Sequence, residues 1–321
     1  MLNTPLLEVK DLHTYYYRKK GDTIRAVDGV NFEIGYGESL ALVGESGCGK
    51  STVAHTIMRL LPSNARIIKG HAIFEGSIDL TEVDEDQLRD IRFKKISIIF
   101  QASMNMLDPL MKVEDQIAEL IKLHRKSVSK DEALQEARKL LEIVSIPPQK
   151  GKDYPHQLSG GQRQRVSIAM AIALKPKLII ADEPFTALDV MIQAQLIELL
   201  KSICKKIGSS LMLITHDIQV TGELCDKMAV MYAGKIVEYG SIKRIIESPA
   251  HPYTIGLLNS TTDITSLIEP KSIPGLPPDL SNPPSGCRFH PRCPNRTKLC
   301  EKEEPKLFKK GNDHYVMCFY S

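Results

Sequence analysis

The chain has 321 residues, 42% of them hydrophobic and 25% charged, a balance that excludes a disordered chain, a collagen-like fibre or a coiled-coil rod and leaves length for roughly two domains of about 150 residues. Lys and Arg number 42 against 39 Asp and Glu, a net charge of +3, too close to neutrality to argue for a nucleic-acid partner. No apolar run approaches the roughly 18 residues needed to cross a bilayer. The opening MLNTPLLEVKDL meets Glu8 and Lys10 before an apolar core develops, so no secretory signal is expected and the chain is placed in the cytosol.

Apolar runs that read as buried strands fall at Ser39–Val43, 96–100, 178–181 and 211–215, with helix-like segments between several of them. That alternation predicts an α/β domain with a mostly parallel sheet. Between 102 and 175 the strand signal lapses, and 113–126 and 130–144 carry apolar residues at helical spacing, so this stretch reads as a helical insert. The run 166–174 reads as a buried helix. From 269 to 284 six prolines fall within sixteen residues, too many for a helix or a central strand, and an extended linker is expected there. A small terminal module follows.

After the first of these strands comes GESGCGKS, residues 44–51, which matches G-x-x-x-x-G-K-[ST] between a strand and a helix. Glycines let successive backbone N–H groups turn inward around phosphate oxygens, and the helix behind them offers its positive end to the same charge. Gly44, Glu45, Ser46, Gly47, Cys48, Gly49, Lys50, Ser51 and Thr52 are therefore the candidate nucleotide cradle. Lys50 would supply a cation to the β- and γ-phosphates, and the Ser51 hydroxyl suits a Mg²⁺ ligand. Cys48 lies where backbone groups do the binding, and is expected to be a site of thiol inhibition with no part in catalysis.

The strand 178–181 runs into Asp182-Glu183, which sets two carboxylates at the carboxyl edge of the sheet, where open α/β folds bind ligands. Asp182 would hold Mg²⁺ through water, and Glu183 would polarise the attacking water. LSGGQ, 158–162, opens another helix with a serine and two glycines. It is a second anion site in a chain that already has one, so it calls for a second nucleotide face.

The ordered set Tyr16, phosphate loop, Gln101, LSGGQ, Asp182-Glu183, Ala187-Leu188-Asp189 and His216 resembles the ATP-binding subunits of ABC transporters over nearly the whole chain. The resemblance implies a P-loop, RecA-like core with a helical subdomain. By it, Gln101 would sense Mg²⁺ and the attacking water, while Ser159, Gly160, Gly161 and Gln162 would contact ATP bound to the opposite subunit. Asp189 would lie at the dimer interface, and His216 would contact the γ-phosphate. An aromatic ring from an early strand would stack on adenine; the candidates are Tyr15, Tyr16 and Tyr17, and counting favours Tyr16. The implied division is a nucleotide-binding domain 1–250, with core 1–101 and 176–250 and helical insert 102–175, followed by a C-terminal extension 251–321.

FQASMNMLDPLMKV at 100–113, HPYTIGLLNS at 251–260 and GCRFHPRCPN at 286–295 resemble the dipeptide and oligopeptide importer ATPases within that family. Membership implies two transmembrane permease subunits, a second and different ATPase chain, an extracytoplasmic solute-binding protein acting indirectly, and a peripheral position on the cytoplasmic face of the membrane. A soluble ABC ATPase whose cysteine tail binds nucleic acid is the alternative.

Seven cysteines are present, and Cys287, Cys293, Cys300 and Cys318 crowd the tail with spacing C-x5-C-x6-C-x17-C. Zinc knuckles favour two to four intervening residues, and four thiolates at wider spacing suit a [4Fe–4S] cluster. Zinc, disulfides and free thiols remain alternatives. His290 and His314 lie nearby, but four cysteines already complete a ligand set. A metal centre would supply folding energy that so short a tail lacks.

Overall fold

The computed structural model describes residues 4–18, 21–100, 106–186, 188–260, 272–311 and 313–321. The chain divides into two compact units, Met1–Val83 with Leu213–Ser321, and Asp84–Met212.

In the first unit β1 (Leu7–Tyr17), β2 (Thr23–Ile34), β3 (Ser39–Val43), α1 (Lys50–Ile57), β4 (Ala65–Phe74) and β5 (Ile78–Asp79) follow in order. Strands β2-β1-β4-β5 form an antiparallel sheet. The sequence reading missed this sheet. Register shifts between Val9 and Leu12 and between Thr14 and Tyr16 break the two-residue alternation by which a half-buried strand is recognised.

In the second unit come α2 (Glu85–Ile91), β6 (Ile96–Ile99), α3 (Val113–His124), α4 (Lys130–Ile143), α5 (Gly160–Ile172), β7 (Leu178–Asp182) and α6 (Val190–Ile207). Strands β6 and β7 pair in parallel, Ile96 with Leu178 through Ile99 with Ala181, and both are buried along their full length. Such continuous apolar runs are what a parallel strand covered on both faces requires. α4 begins in a capping box between Ser129 and Glu132, and buries Ala133, Ala137, Leu140 and Leu141, a stripe at helical period. No strand occurs among the described residues from 106 to 175, as the lapse in apolar runs predicts.

β8 (Ser210–Thr215) returns the chain to the first unit, which continues through α7 (Ile218–Leu224), β9 (Lys227–Tyr232), β10 (Lys235–Ser241), α8 (Ile242–Glu247), α9 (Pro252–Asn259), α10 (Lys298–Lys302), β11 (Phe308–Gly311) and β12 (His314–Val316). β3 pairs with β9 in parallel, whereas β9, β10, β12 and β11 continue in that order by antiparallel pairing. The expected mostly parallel sheet therefore describes β3–β9 and β6–β7, while the tail adds an antiparallel edge. Residues 272–284 contain neither helix nor strand, in keeping with their prolines. Among the described residues no helix is long and apolar enough to cross a membrane.

Within the first unit a buried polar network ties the tail to β1 and β2. Asp28 accepts a hydrogen bond from the Tyr15 hydroxyl at 2.6 Å and is paired with Arg288, and His13 Nδ1 lies 2.8 Å from its Oδ1. Burial alone would push the Asp28 carboxyl up, but the Tyr15 hydroxyl and the Arg288 and Lys235 cations together hold it down at about 2, below its ordinary 3.8. A carboxyl lowered on folding adds stability above its unfolded pKa and loses it as pH falls through the folded value. Unfolding free energy measured by urea titration is therefore expected to drop by about 2 kcal/mol between pH 4 and pH 2 through this group. Substitution of Asp28 by Asn should remove that part of the slope.

Candidate functional site: a phosphate loop and a glycine-led helix

β3 is buried and apolar from Leu40 to Val43, and the chain leaves it through three glycines in left-handed conformations, Gly44, Gly47 and Gly49. At two of them no side chain fits. A Cβ on Gly44 would stand 2.1 Å from the Met231 carbonyl oxygen, and one on Gly49 2.0 Å from that of Ala26. The loop is thus pressed against β9 and β2 with its outer rim, Ser46 and Gly47, exposed. Helix α1 starts at Lys50 with neither a side-chain cap nor an acidic residue in its first turn, so the positive end of its dipole is not neutralised by this chain there.

Lys50 is 4% exposed, and its Nζ donates to the carbonyl oxygens of Gly44 at 2.6 Å and Glu45 at 3.1 Å. The ammonium is therefore held inside the curl of the loop. Behind it, Thr14 and Thr56 hydroxyls meet at 2.9 Å, and the Tyr16 hydroxyl lies 3.2 Å from Thr52 Oγ1, which pins α1 to β1. Tyr16 is half-buried and Tyr17 exposed, whereas the Tyr15 hydroxyl is engaged by Asp28. Cys48 is 6% exposed, and burial pushes its thiol up despite the nearby Lys50. Burial works against the expected thiol inhibition there, because it shields the sulfur and disfavours the reactive thiolate. His216 follows β8 and is exposed, just before Asp217 caps α7.

In the second unit, β7 ends at Asp182, 2% exposed. The next residue, Glu183, has φ of 45°, a left-handed conformation that costs a non-glycine residue energy and turns its side chain off the strand line. The Thr186 hydroxyl donates to Glu183 Oε2 at 3.0 Å, a contact that the sequence reading did not find. Gln101, expected to join these residues, lies outside the described residues, as does Ala187.

Ser159 caps α5 in a capping box. Its Oγ accepts from Gln162 N, and the Gln162 side-chain oxygen accepts from Ser159 N. Gly160 and Gly161 form the first turn, and a Cβ on Gly161 would press to 2.8 Å from Ile192 Cγ2. Asp189 caps α6 by accepting from Ile192 N at 2.9 Å. The fold therefore brings the LSGGQ turn and the Asp189 turn together through Ile192.

The four tail cysteines converge in the first unit. Cys287, Cys293, Cys300 and Cys318 line one cavity of about 240 Å³ together with His251 and Phe289. Burial, with the neighbouring Cys300, Cys293 and Cys318, pushes the Cys287 thiol up to about 11. His314 is paired with buried Glu238 at 2.7 Å, and His251 accepts from Tyr253 N with its ring held neutral by burial. The same segment supplies two arginines between its cysteines, Arg288 and Arg292, whose partners Asp28 and Glu45 lie near the other end of the chain. The motif containing them is visible in sequence, but nothing in its local spacing names partners so distant along the chain.

A glycine loop curled around a lysine ahead of an uncapped helix, with an acid pair ending a buried strand, defines a P-loop nucleoside triphosphatase. The comparisons narrow the class. Residues 27–186 match the ABC transporter family and residues 237–300 the oligopeptide/dipeptide transporter C-terminal region. The chain is 48% identical to the oligopeptide transport ATP-binding protein OppD of Bacillus subtilis over 98% of its own length and 88% of that protein. It is 42% identical to the dipeptide transport ATP-binding protein DppD of Caldanaerobacter subterraneus over 98% and 96% of the two chains. Among solved structures, the ATP-binding cassette MJ0796, a dimer in a post-hydrolysis state bound to ADP and Pi, is similar at a TM-score of 0.66 and 30% identity, covering 74% of this chain and 98% of that one. The chain belongs to the ABC transporter family, among its oligopeptide and dipeptide ATP-binding subunits, and is an ATPase.

Proposed function

We propose that this chain powers peptide uptake as one half of an ATP sandwich on the cytoplasmic face of the membrane. A second, different ATPase chain would complete the pair, two permease subunits would sit above it, and an extracytoplasmic binding protein would deliver the solute without touching this chain. The observation that carries the reading is that one polypeptide holds two glycine-led helix openings, the phosphate loop and the Ser159 turn, in separate compact units. MJ0796 is a dimer bound to ADP and Pi, which supports pairing here. The transported class rests on the names of the relatives, which match through the cysteine tail; nothing in them favours the nucleic-acid alternative.

In this reading residues 1–250 are the nucleotide-binding domain. The amides of residues 44–52 and Lys50 bind and orient the phosphates, and Tyr16 stacks on adenine. Mg²⁺ held by Ser51, Gln101 and Asp182 would neutralise phosphate charge. Glu183 takes a proton from the attacking water, with His216 at the γ-phosphate, while Ser159, Gly160, Gly161 and Gln162 close on the ATP of the partner chain next to Asp189. On the second unit a groove of about 660 Å³ is lined by Leu110, Met111, Ala118, Leu123 and Tyr154 together with the charged Lys112, Asp115, Glu119, Lys122 and Lys130. Leu110 is 85% exposed, and the groove would seat an amphipathic permease segment.

The tail, 251–321, would carry a [4Fe–4S] cluster on Cys287, Cys293, Cys300 and Cys318, which would cross-link a segment with little core of its own. Zinc at about 2.3 Å from four thiolates would draw the sulfurs to within about 4 Å of one another. The four cysteines line one cavity of about 240 Å³, and their wide spacing in sequence suits the larger group better than zinc knuckles.

One preparation tests both parts. Anaerobic purification of the chain from membranes expressing the neighbouring transporter subunits should yield two permeases and a second ATPase, with about four irons and four sulfides per chain. Recovery of the chain without permeases would remove the importer reading, and zinc without iron would remove the cluster.

A further inference from the structure

The phosphate loop is not held by its own strand and helix alone. Glu45, its second residue, is gripped from the tail: Arg292 Nη1 donates to Glu45 Oε2 at 2.7 Å and Nη2 to Oε1 at 3.0 Å, the two-pronged geometry in which a guanidinium binds a carboxylate most strongly. The arginine is itself fixed. Its Nε donates to the Pro274 carbonyl at 2.9 Å, its side chain is 4% exposed, and it lies over the Tyr232 ring at 5.8 Å from the centroid.

A second hand reaches the same residue. The Glu45 backbone N–H donates to the Tyr253 hydroxyl at 2.9 Å, and Tyr253 packs with Tyr232 and Phe289 at centroid separations of 4.6 and 5.5 Å. Four residues before Arg292, Arg288 bonds to the Ala233 carbonyl. The adjacent Gly234 N–H donates to the Cys48 carbonyl at 2.9 Å, so the far end of the loop is held through the same tail segment.

We propose that Arg292 is a positioning residue for the phosphate loop: by neutralising and immobilising Glu45 it lets the segment between Cys287 and Cys293 set nucleotide affinity. Two physical effects act together. A carboxylate released from Arg292 would bring negative charge to the rim of a cradle built for an anion. Freeing it would also let the loop's N–H groups, useful only when preorganised, sample other directions. The inference rests on reading residues 44–52 as the nucleotide site, which the control below examines separately.

The test measures Mg-ATP binding to the full-length chain with a fluorescent ATP analogue, together with steady-state turnover and thermal unfolding, for wild type, R292Q, R292K, E45Q, the E45Q/R292Q double variant and K50A. R292Q should raise Kd and the KM for ATP about tenfold with kcat changed less than about twofold. R292K should recover part of the loss through charge without the fork, and the double variant should bind better than R292Q because the freed carboxylate is gone. Should R292Q fail to fold, E45Q carries the test through loss of the same fork. Unchanged Kd in R292Q, or a lower melting temperature with unchanged Kd, would overturn the proposal and leave Arg292 a staple for the tail. If K50A binds ATP as wild type does, the nucleotide reading of the loop fails, a result separable from failure of the latch.

Discussion

Replacement of Glu183 by Gln is expected to lower ATP turnover by about 10²- to 10⁴-fold, the range over which a positioned general base contributes, while Mg-ATP still binds within about threefold of wild type. The geometry predicts the split. Glu183 follows the last residue of a buried strand in a left-handed backbone conformation, a strain that fixes where its side chain starts. The Thr186 hydroxyl then holds one carboxylate oxygen and sets the orientation of the carboxylate. Glutamine has the same shape and can accept the Thr186 bond through its side-chain oxygen, so fold and binding persist, but it cannot take up a proton. Phosphate release measured beside equilibrium binding checks this. Turnover within a few-fold of wild type would move the base to another residue.

The opposite pattern is expected for Lys50→Ala, where binding itself should weaken by about 10²-fold, corresponding to the roughly 2–3 kcal/mol of charge-assisted hydrogen bonds to phosphate oxygens. The ammonium is buried within the loop and held by the carbonyls of Gly44 and Glu45. Deleting it removes the loop's only lysine or arginine and leaves those carbonyls facing the site, unfavourable neighbours for an anion. Arginine should not rescue, because a planar guanidinium does not reproduce the compact ammonium held between the Gly44 and Glu45 carbonyls. Isothermal titration with ATP distinguishes this from the Glu183 variant: one loses affinity and the other loses chemistry.

The phosphate-loop motif and the Asp182-Glu183 pair are both legible as sequence patterns because every residue involved lies within a few positions of a buried strand, and the strands announce themselves as short apolar runs. The runs at 96–100 and 178–181 appear in the fold as Ile96–Ile99 and Leu178–Asp182, and the helical spacing at 130–144 as Lys130–Ile143. What stayed hidden is what depends on distant partners. The Thr186 contact to Glu183 is local but needs the left-handed turn to form. Glu45 and Arg292 are 247 residues apart, and Asp28 and Arg288 are 260 apart.

By itself the sequence determined the motifs this protein carries: a glycine loop with its lysine, an acid pair at a strand end, a serine–glycine helix opening and four tail cysteines, all patterns that are read from neighbours along the chain. Only the tertiary structure decided that the tail returns to grip that loop, that Cys48 is shielded, and that β1 pairs on both sides in an antiparallel sheet. Those are matters of which buried charges and strand edges find one another across hundreds of residues, where desolvated groups must be paired at close range and nothing in local spacing says with whom.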